Sequence, residues 1–148
     1  MAKLRSSAPA MCACTTVKKV SRALGRSYDS ALAEAGLSVT QLAVLRRVVR
    51  FEGEPLSHIA TDLETDRTTL YRAIAPMVRD GWLSLHGGSS ARSRTAKITR
   101  KGRQLLENAN AEWDRVNDRV IAAFGRAKWQ AMQAELARLT KCAEAARR

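Results

Sequence analysis

A mainly α-helical fold with one small β-hairpin is predicted for this chain by three observations. The 148 residues include 8 Gly and only 3 Pro, and this scarcity of turn-forming residues favours helices over many short strands. Apolar residues recur at helical spacing along most of the sequence. The period changes to two only in a short segment before Lys101, where a pair of strands is expected.

The first two helices are indicated by their apolar stripes and by the glycines that follow them. One helix is expected from about Thr15 to Ala35, and Gly36 suits its C-terminus. A second helix follows, with Thr40 as its expected N-cap and Gly53 as its end. Both are long enough to bury one face against a neighbour.

Two shorter helices come next and are joined by a tight connection. Pro55 lies near the start of the third helix, where Ser57 is a further candidate cap. Asp66 is the expected N-cap of the fourth helix, which runs to about Asp80. Pro76 lies inside this helix, so one internal hydrogen bond is lost and a bend is expected. The apolar face of the fourth helix consists of Leu70, Ile74, Met77 and Val78.

The hairpin is expected between Trp82 and Ile98, with the segment GGSSARSR at its tip. Trp82 is expected to pack the hairpin against the fourth helix. From about Lys101 the helical period returns, Gly125 interrupts it, and a last helix follows. A helix pair followed by a hairpin is the winged helix-turn-helix arrangement, and the hairpin is its wing.

The chain is expected to divide into three parts that form two closely integrated lobes. Residues 1–35 hold a tail and the first helix, 36–102 the winged helix-turn-helix lobe, and 103–148 the C-terminal helices. Helices at both chain ends would be poorly buried in a single copy. We therefore expect the N- and C-terminal helices to form a dimerisation lobe in a homodimer.

The charge distribution favours a polyanion as the partner. The net charge is +12, and residues 65–103 carry nine basic and two acidic side chains, which gives +7. Such an excess in one segment favours binding to nucleic acid through counterion release. Double-stranded DNA is the expected partner. A non-specific architectural DNA-binding protein that uses charge alone is the alternative.

Other classes of protein are less well supported by the sequence. We find no Gly-rich phosphate loop, no His-x-x-x-His pair and no Gly-x-Ser-x-Gly motif, and only 2 His are present. An enzyme is therefore not expected, and no cofactor or metal is predicted. No apolar run approaches the ~18 residues of a membrane helix, and no secretory signal is recognisable. The expected location is the cytoplasm, without membrane attachment.

The polar face of the fourth helix contains the main candidates for DNA contact. A recognition helix packs one face on its domain and offers the other to the major groove, with base contacts near its N-terminus. Arginine can donate two hydrogen bonds to guanine, threonine can meet a thymine methyl group, and tyrosine can donate to phosphate. An ordinary solvated helix face is the alternative. This face, called the recognition face below, consists of Arg67, Thr68, Thr69, Tyr71 and Arg72.

The wing and the helix starts add further candidates. Arg92 and Arg94 lie in the hairpin tip, and a narrow minor groove attracts an inserted arginine. A basic loop without a contact is the alternative. Ser57 and Asp66, near the starts of the third and fourth helices, and Ser90 in the hairpin tip complete the predicted DNA-binding set.

The winged segment resembles the core of the MarR family of bacterial transcription regulators. The resemblance covers LSHIATDLETDRTTLYRAIAPMVRDGWLSLHGGSSARSRTAKITRKGRQLL, and its most specific parts are DRTTLYRAIAPMVRDGWL and KITRKG. It implies a homodimer in which two winged lobes bind a palindromic operator. Such regulators are usually repressors that are released by small aromatic ligands or by thiol oxidation. The family's wing usually reads Asp-x-Arg, whereas Ser90 replaces the Asp here and Arg92 is retained.

Three cysteines are open to more than one interpretation. Cys12 and Cys14 lie at the start of the first helix, near Lys18 and Lys19, and Cys142 lies near the end of the last helix. A helix N-terminus and nearby cations can lower a thiol pKa, so redox sensing by a disulfide is one hypothesis. Inert cytoplasmic thiols and a soft-metal site are the alternatives, although a zinc site needs about four ligands.

A small aromatic ligand is a possible partner that the resemblance suggests. Arg22, Tyr28 and Trp113 are the candidates for lining its pocket between the lobes. Aromatic residues at helical spacing are more often core residues, and this is the alternative for Trp113.

Overall fold

The computed structural model describes residues 12–87 and 94–146. Within these ranges the α-helices are α1 (Ala13–Leu32), α2 (Val39–Arg50), α3 (Leu56–Asp62), α4 (Arg67–Arg79), α5 (Arg100–Phe124) and α6 (Arg126–Ala145), with strands β1 (Leu83–His86) and β2 (Thr95–Ile98) between α4 and α5. A short 3-10 helix, Ala33–Ala35, extends α1. The predicted order of helices and hairpin is confirmed.

The connection between α1 and α2 differs from the expectation in one detail. Gly36 ends the first segment with a left-handed φ of 71°, as expected for a C-terminal glycine. Ser38, rather than Thr40, is the N-cap of α2. The Ser38 hydroxyl accepts a hydrogen bond from the Gln41 amide, and the Gln41 side chain accepts one from the Ser38 amide. This capping box supplies hydrogen-bond acceptors for two backbone amides that have no acceptor within the helix, so α2 starts before Thr40.

The short helix α3 begins directly after a proline. Pro55 is its N-cap residue, and no side chain caps the helix. The prediction that Ser57 is a further cap is wrong, because Ser57 already lies within the first turn. The Ser57 carbonyl instead accepts a hydrogen bond from the Thr61 hydroxyl at 3.0 Å.

The hairpin is antiparallel and is attached to the start of α3. Leu83 pairs with Ile98 at its base, and His86 pairs with Thr95 toward its tip. Pro55 forms an isolated bridge with Thr95, and the Leu56 amide donates to the Arg94 carbonyl at 2.9 Å. The wing is therefore held by backbone hydrogen bonds on both sides of β2.

A single buried cluster, called the central core below, joins the end of α1, α2, the helix-turn-helix of α3 and α4, the hairpin and the first part of α5. Burial of this apolar surface is the main force that holds the winged lobe together. The half-buried Trp82 packs against this cluster from the position directly before β1. The central core consists of Leu32, Leu37, Leu42, Val44, Leu45, Val48, Leu56, Ile59, Ala60, Leu70, Ile74, Met77, Leu83, Ala96, Leu106 and Ala109.

The terminal helices leave much apolar surface uncovered in the single chain. None of the residues of α6 is buried, and its apolar residues follow helical spacing. The expectation that the terminal helices are poorly buried in one copy is confirmed. No helix in the described ranges is long and apolar enough to span a membrane. The exposed large apolar residues on these helices are Val17, Val20, Phe124, Met132, Leu136 and Leu139.

Candidate nucleic-acid interface

The turn between α3 and α4 places the recognition face toward solvent. Glu64 adopts a left-handed φ of 49°, and the Thr65 amide donates to the Ala60 carbonyl at 2.9 Å. This geometry ends α3 and lets α4 start within a few residues. Leu70 and Ile74 are buried in the central core, so the opposite side of α4 faces outward.

The start of α4 is held by Asp66 and Thr69. Asp66 Oδ1 accepts from the Thr69 amide at 2.9 Å, and Asp66 Oδ2 accepts from the Thr69 hydroxyl at 2.7 Å. The hydroxyl and the amide of Thr69 both stabilise the carboxylate and hold the pKa of Asp66 below its usual value. The predicted cap is confirmed. Because the Thr69 hydroxyl donates to Asp66, its remaining capacity is that of an acceptor, with its methyl group free for apolar contact.

The two arginines of the recognition face have no competing partner in the described part of the chain. Arg67 and Arg72 are exposed, and neither forms an ion pair with a described residue. Thr68 is also exposed and lies four residues before Arg72, so both are on the same side of α4. Tyr71 differs from them because it is half-buried and packs against the central core.

The far end of α4 is tied to its own surroundings. Arg79 donates to the Asp80 carboxylate at 3.1 Å, and Lys101 donates to the Asp80 carbonyl at 2.9 Å. Arg79 and Lys101 therefore already bind protein groups, in contrast to Arg67 and Arg72 among the described residues. The free positive charge of α4 is concentrated in its first two turns, where a recognition helix contacts bases.

Of the wing residues that are predicted to contact DNA, Arg94 lies within the described residues. The backbone of Arg94 is fixed by the hydrogen bond to Leu56, while its side chain is exposed. Ser90 and Arg92 lie outside the described residues, so their contacts stay predictions. Ser57 is half-buried in the first turn of α3.

Of the three predicted pocket residues, Tyr28 and Trp113 lie close together, whereas Arg22 lies apart from them. Their rings are 6.0 Å apart, and the Tyr28 hydroxyl donates to Asn117 at 2.8 Å. Burial raises the pKa of Tyr28. Arg22 is exposed on α1 and takes part in none of these contacts.

A cavity of about 340 Å³ lies elsewhere, between α2 and α4, with Val44, Leu70 and Ala73 in its wall.

Polar residues of α2 and α5 that were not predicted from the sequence lie around Trp113. The Arg46 guanidinium lies 4.1 Å from the Trp113 ring centroid, and its Nε and Nη2 donate to Asn110 Oδ1 at 2.9 and 2.7 Å. Asn110, Trp113 and Asn117 are three and four residues apart, so one face of α5 carries all three. This spacing is visible in the sequence and predicts that the three side chains share one face of α5. Tyr28, Arg46, Asn110, Trp113 and Asn117 are called the Trp113 cluster below.

The three cysteines are exposed free thiols at the two ends of the described chain. Cys12 is the N-cap residue of α1, Cys14 lies in its first turn, and Cys142 is near the end of α6. The Cys12 thiol makes no capping hydrogen bond of good geometry. The neighbouring amide and hydroxyl of Thr15 nevertheless hold the pKa of Cys12 below its ordinary value. Residues 12–87 and 94–146 contain no group of three or more His, Cys, Asp and Glu side chains that could hold a metal ion.

Solved structures of transcriptional regulators resemble this chain along nearly its whole length. The M. tuberculosis regulator MosR, solved in complex with DNA, is 35% identical over 93% of this chain and 99% of its own, with a TM-score of 0.82. PcaV from Streptomyces coelicolor, solved with its natural ligand, is 17% identical over 97% of this chain and 99% of its own, with a TM-score of 0.81. A regulator of the MarR family from Rhodococcus sp. RHA1 is 18% identical over 85% of this chain and 93% of its own, with a TM-score of 0.71.

The searches among family models and curated proteins found no match. The two structures below 25% identity support the fold alone, whereas the likeness to MosR also extends to the sequence. All three of these proteins are transcriptional regulators. The capped helix-turn-helix, the hairpin wing and the identity to MosR together show that the chain belongs to the MarR family of winged helix-turn-helix transcriptional regulators.

Proposed function

We propose that this regulator is a homodimeric repressor that binds a palindromic operator through two copies of α4 and of the wing. The observation that carries this proposal is the pair of exposed arginines in the first two turns of α4, which have no ion-pair partner among the described residues. Unpaired guanidinium groups at the start of a recognition helix suit guanine edges and phosphates in a major groove.

Each member of the recognition face has a chemically distinct part in the proposed complex. Arg67 and Arg72 donate to guanine or phosphate, and Thr68 meets bases or phosphates beside Arg72. Thr69 offers its methyl group, because its hydroxyl is already bound to Asp66. Asp66 acts by capping α4, since a carboxylate in direct contact with phosphate would be repelled.

The remaining contacts in the proposal come from the edges of the interface. Tyr71 and Ser57 donate hydrogen bonds to the DNA backbone. Arg94, and Arg92 in the wing tip, reach the adjacent minor groove.

The second copy covers the apolar surface that the terminal helices expose. Val20 is 54% exposed, Phe124 45% and Leu139 41%, although each lies on the apolar side of its helix. Uncovered apolar side chains at helical spacing on adjacent long helices are typical of interfaces between interlocking copies. A dimer would place two recognition helices on one duplex, ~34 Å apart for half-sites one turn apart.

Thiol oxidation is one proposed route to release from DNA. Peroxide would oxidise Cys12 and Cys14 to a disulfide, so that two thiols and one peroxide give one disulfide and two waters. Cys12 is the N-cap residue of α1 and Cys14 lies in its first turn, so a disulfide between them would constrain the start of α1, which belongs to the proposed dimer interface. Cys142 is the alternative partner for either thiol.

Binding of a small aromatic ligand is the second proposed route. The Trp113 cluster provides an aromatic surface and hydrogen-bonding groups where α1, α2 and α5 meet. The similar fold of PcaV, solved with its natural ligand, supports this alternative. A ligand that binds better to one lobe arrangement shifts the population toward that arrangement.

Fluorescence anisotropy with the DNA upstream of the regulator's own gene and with a scrambled duplex tests the proposal. The measurement is made at two salt concentrations, with reductant and then with peroxide. We expect a large preference for the upstream DNA that peroxide abolishes and reductant restores. A preference that survives peroxide would support the ligand route instead. Equal affinity for both duplexes would refute specific binding and support the architectural alternative that uses charge alone.

A further inference from the structure

Two consecutive arginines attach α2 to different parts of the molecule. Arg46 donates two hydrogen bonds to Asn110 of α5 and lies over the Trp113 ring. Arg47, the next residue, forms an ion pair with Asp62 of α3. The helix α2 therefore links α5 to the helix-turn-helix.

A second attachment to the winged lobe lies at the start of α5. The Thr99 amide donates to the Trp82 carbonyl at 3.0 Å, and the Thr99 hydroxyl donates to the Gly81 carbonyl at 2.7 Å. Lys101 donates to the Asp80 carbonyl from the same turn. These bonds connect the start of α5 directly to the end of α4. We call this attachment the α4–α5 joint.

The α4–α5 joint alone does not set the angle at which α5 leaves the winged lobe. Asn110 lies nine residues after Lys101 of this joint, or about 14 Å along the helix at 1.5 Å per residue. Between these points α5 contacts the lobe through the buried side chains Leu106 and Ala109. Apolar burial is not directional, so these contacts specify the angle less sharply than hydrogen bonds do. A planar guanidinium with two donors on one acceptor and an aromatic ring beneath it has one favourable geometry.

We infer that Arg46 is a positioning residue that fixes the angle between the winged lobe and α5 through Asn110 and Trp113. The inference rests on the proposed dimer, because α5 then leads into the shared interface. The angle of each lobe on its α5 would set the separation of the two recognition helices. Arg46 therefore acts on DNA binding without touching DNA.

The chemistry of the site supports a geometric role. Burial of the guanidinium lowers the pKa of Arg46. The partial loss of water around the charged group is therefore a cost to stability. An apolar residue at this position would avoid that cost. Val44 and Leu45 of the same helix are buried in the central core with Leu70 of α4. A rotation of α2 relative to α5 would therefore carry the recognition helix with it.

The distance between the two recognition helices of a dimer is the direct test. Ala75 is exposed on α4, so Ala75→Cys provides a spin-label site in a full-length chain that also carries Cys12→Ser, Cys14→Ser and Cys142→Ser. Double electron–electron resonance then gives the distribution of distances between the two labels. The variants compared are Arg46→Ala and Asn110→Ala. Arg115→Ala is the matched control, because Arg115 bonds only to Glu112 on the same exposed side of α5 among the described residues.

We expect one narrow distribution for the parent and for Arg115→Ala. Arg46→Ala and Asn110→Ala should each shift or broaden it by about 3 Å or more, which is one base-pair rise of the duplex. Circular dichroism confirms that each variant is folded before the distances are compared. Unchanged distributions in both variants, with a lowered unfolding temperature, would show that Arg46 only stabilises the fold and would overturn the inference. Absence of dipolar coupling in the parent would refute the dimer and, with it, the inference.

Discussion

Gly102 lies directly against the backbone carbonyl of Trp82. A Cβ atom on residue 102 would be 2.1 Å from that carbonyl oxygen and 2.9 Å from its carbon. The first turn of α5 can approach the base of the wing this closely only because residue 102 has no side chain. The same close approach permits the hydrogen bonds of Thr99 to Gly81 and Trp82.

Gly102→Ala is expected to destabilise the fold by about 1–3 kcal/mol, because a backbone oxygen cannot move aside as a side chain can. Gly25→Ala is the matched control. Gly25 lies inside α1 with no atom of the chain's described part within 4 Å of an added Cβ, so alanine there should stabilise the helix by about 0.5–1 kcal/mol. Urea unfolding of both variants measures the difference. Equal stability of Gly102→Ala and the parent would contradict the close approach.

The order of helices and strands could be predicted from the sequence because local signals agree with the tertiary structure. The apolar spacing of Leu70, Ile74 and Met77 identified the buried side of α4, and Asp66 identified its start. Gly36 and Gly125 marked helix ends that adopt positive φ angles. Each of these signals depends on a few neighbouring residues, so a short segment of sequence is enough to recognise the helix end or the buried face.

Features that depend on distant residues were harder to predict. The N-cap of α2 is an exception, because its signal is local: Ser38-x-x-Gln41 is a capping-box pattern, which Thr40 lacks. Arg46 looks like a solvated cation in the sequence, because its partners are more than sixty residues away. The need for glycine at residue 102 likewise arises from a contact with Trp82, which helix propensity does not reveal.

Arg72→Ala is expected to weaken operator binding and to relax sequence preference. Loss of an arginine–guanine contact costs about 1–3 kcal/mol at each half-site, whereas loss of a phosphate contact mainly reduces the salt dependence, by about one unit of slope per contact. Anisotropy titrations at several salt concentrations distinguish the two outcomes. Arg79→Ala, in which the lost arginine is already bound to Asp80, is the control. Equal affinities for the two variants would exclude Arg72 from the interface.

The cap of α4 is expected to depend on pH in a defined direction. The folded-state pKa of Asp66 lies below its unfolded value, chiefly because the Thr69 hydroxyl donates to it. Its stabilising effect is therefore fully present above the unfolded pKa and is lost as the pH falls through the folded pKa. Thr69→Val should raise the pKa of Asp66, whereas Thr68→Val should change it little. Carbon-13 NMR titration of the carboxyl group measures both, and equal pKa values in the two variants would refute the assignment to Thr69.

Cys12 is expected to react as a thiolate at a lower pH than an ordinary cysteine. The amide and the hydroxyl of Thr15 lower its pKa, so the thiolate fraction rises at lower pH. Mass spectrometry of iodoacetamide labelling across pH gives the midpoint for Cys12. Thr15→Val should raise this midpoint, and Thr16→Val is the control because its hydroxyl does not contribute. A Cys12 midpoint at the ordinary value in the parent would remove the chemical basis for oxidation at this residue.

Leu136→Glu is expected to dissociate the proposed dimer. Leu136 is 38% exposed on the apolar side of α6, so covering it in a dimer contributes about 1–2 kcal/mol per copy. Its replacement by a charged residue should raise the dissociation constant by at least about tenfold per copy, because the carboxylate must also lose its water. Gln130→Glu makes the same change in charge on the opposite side of α6. Sedimentation equilibrium should show the shift for Leu136→Glu alone, and an equal shift in both variants would mean that charge, rather than this apolar side, controls assembly.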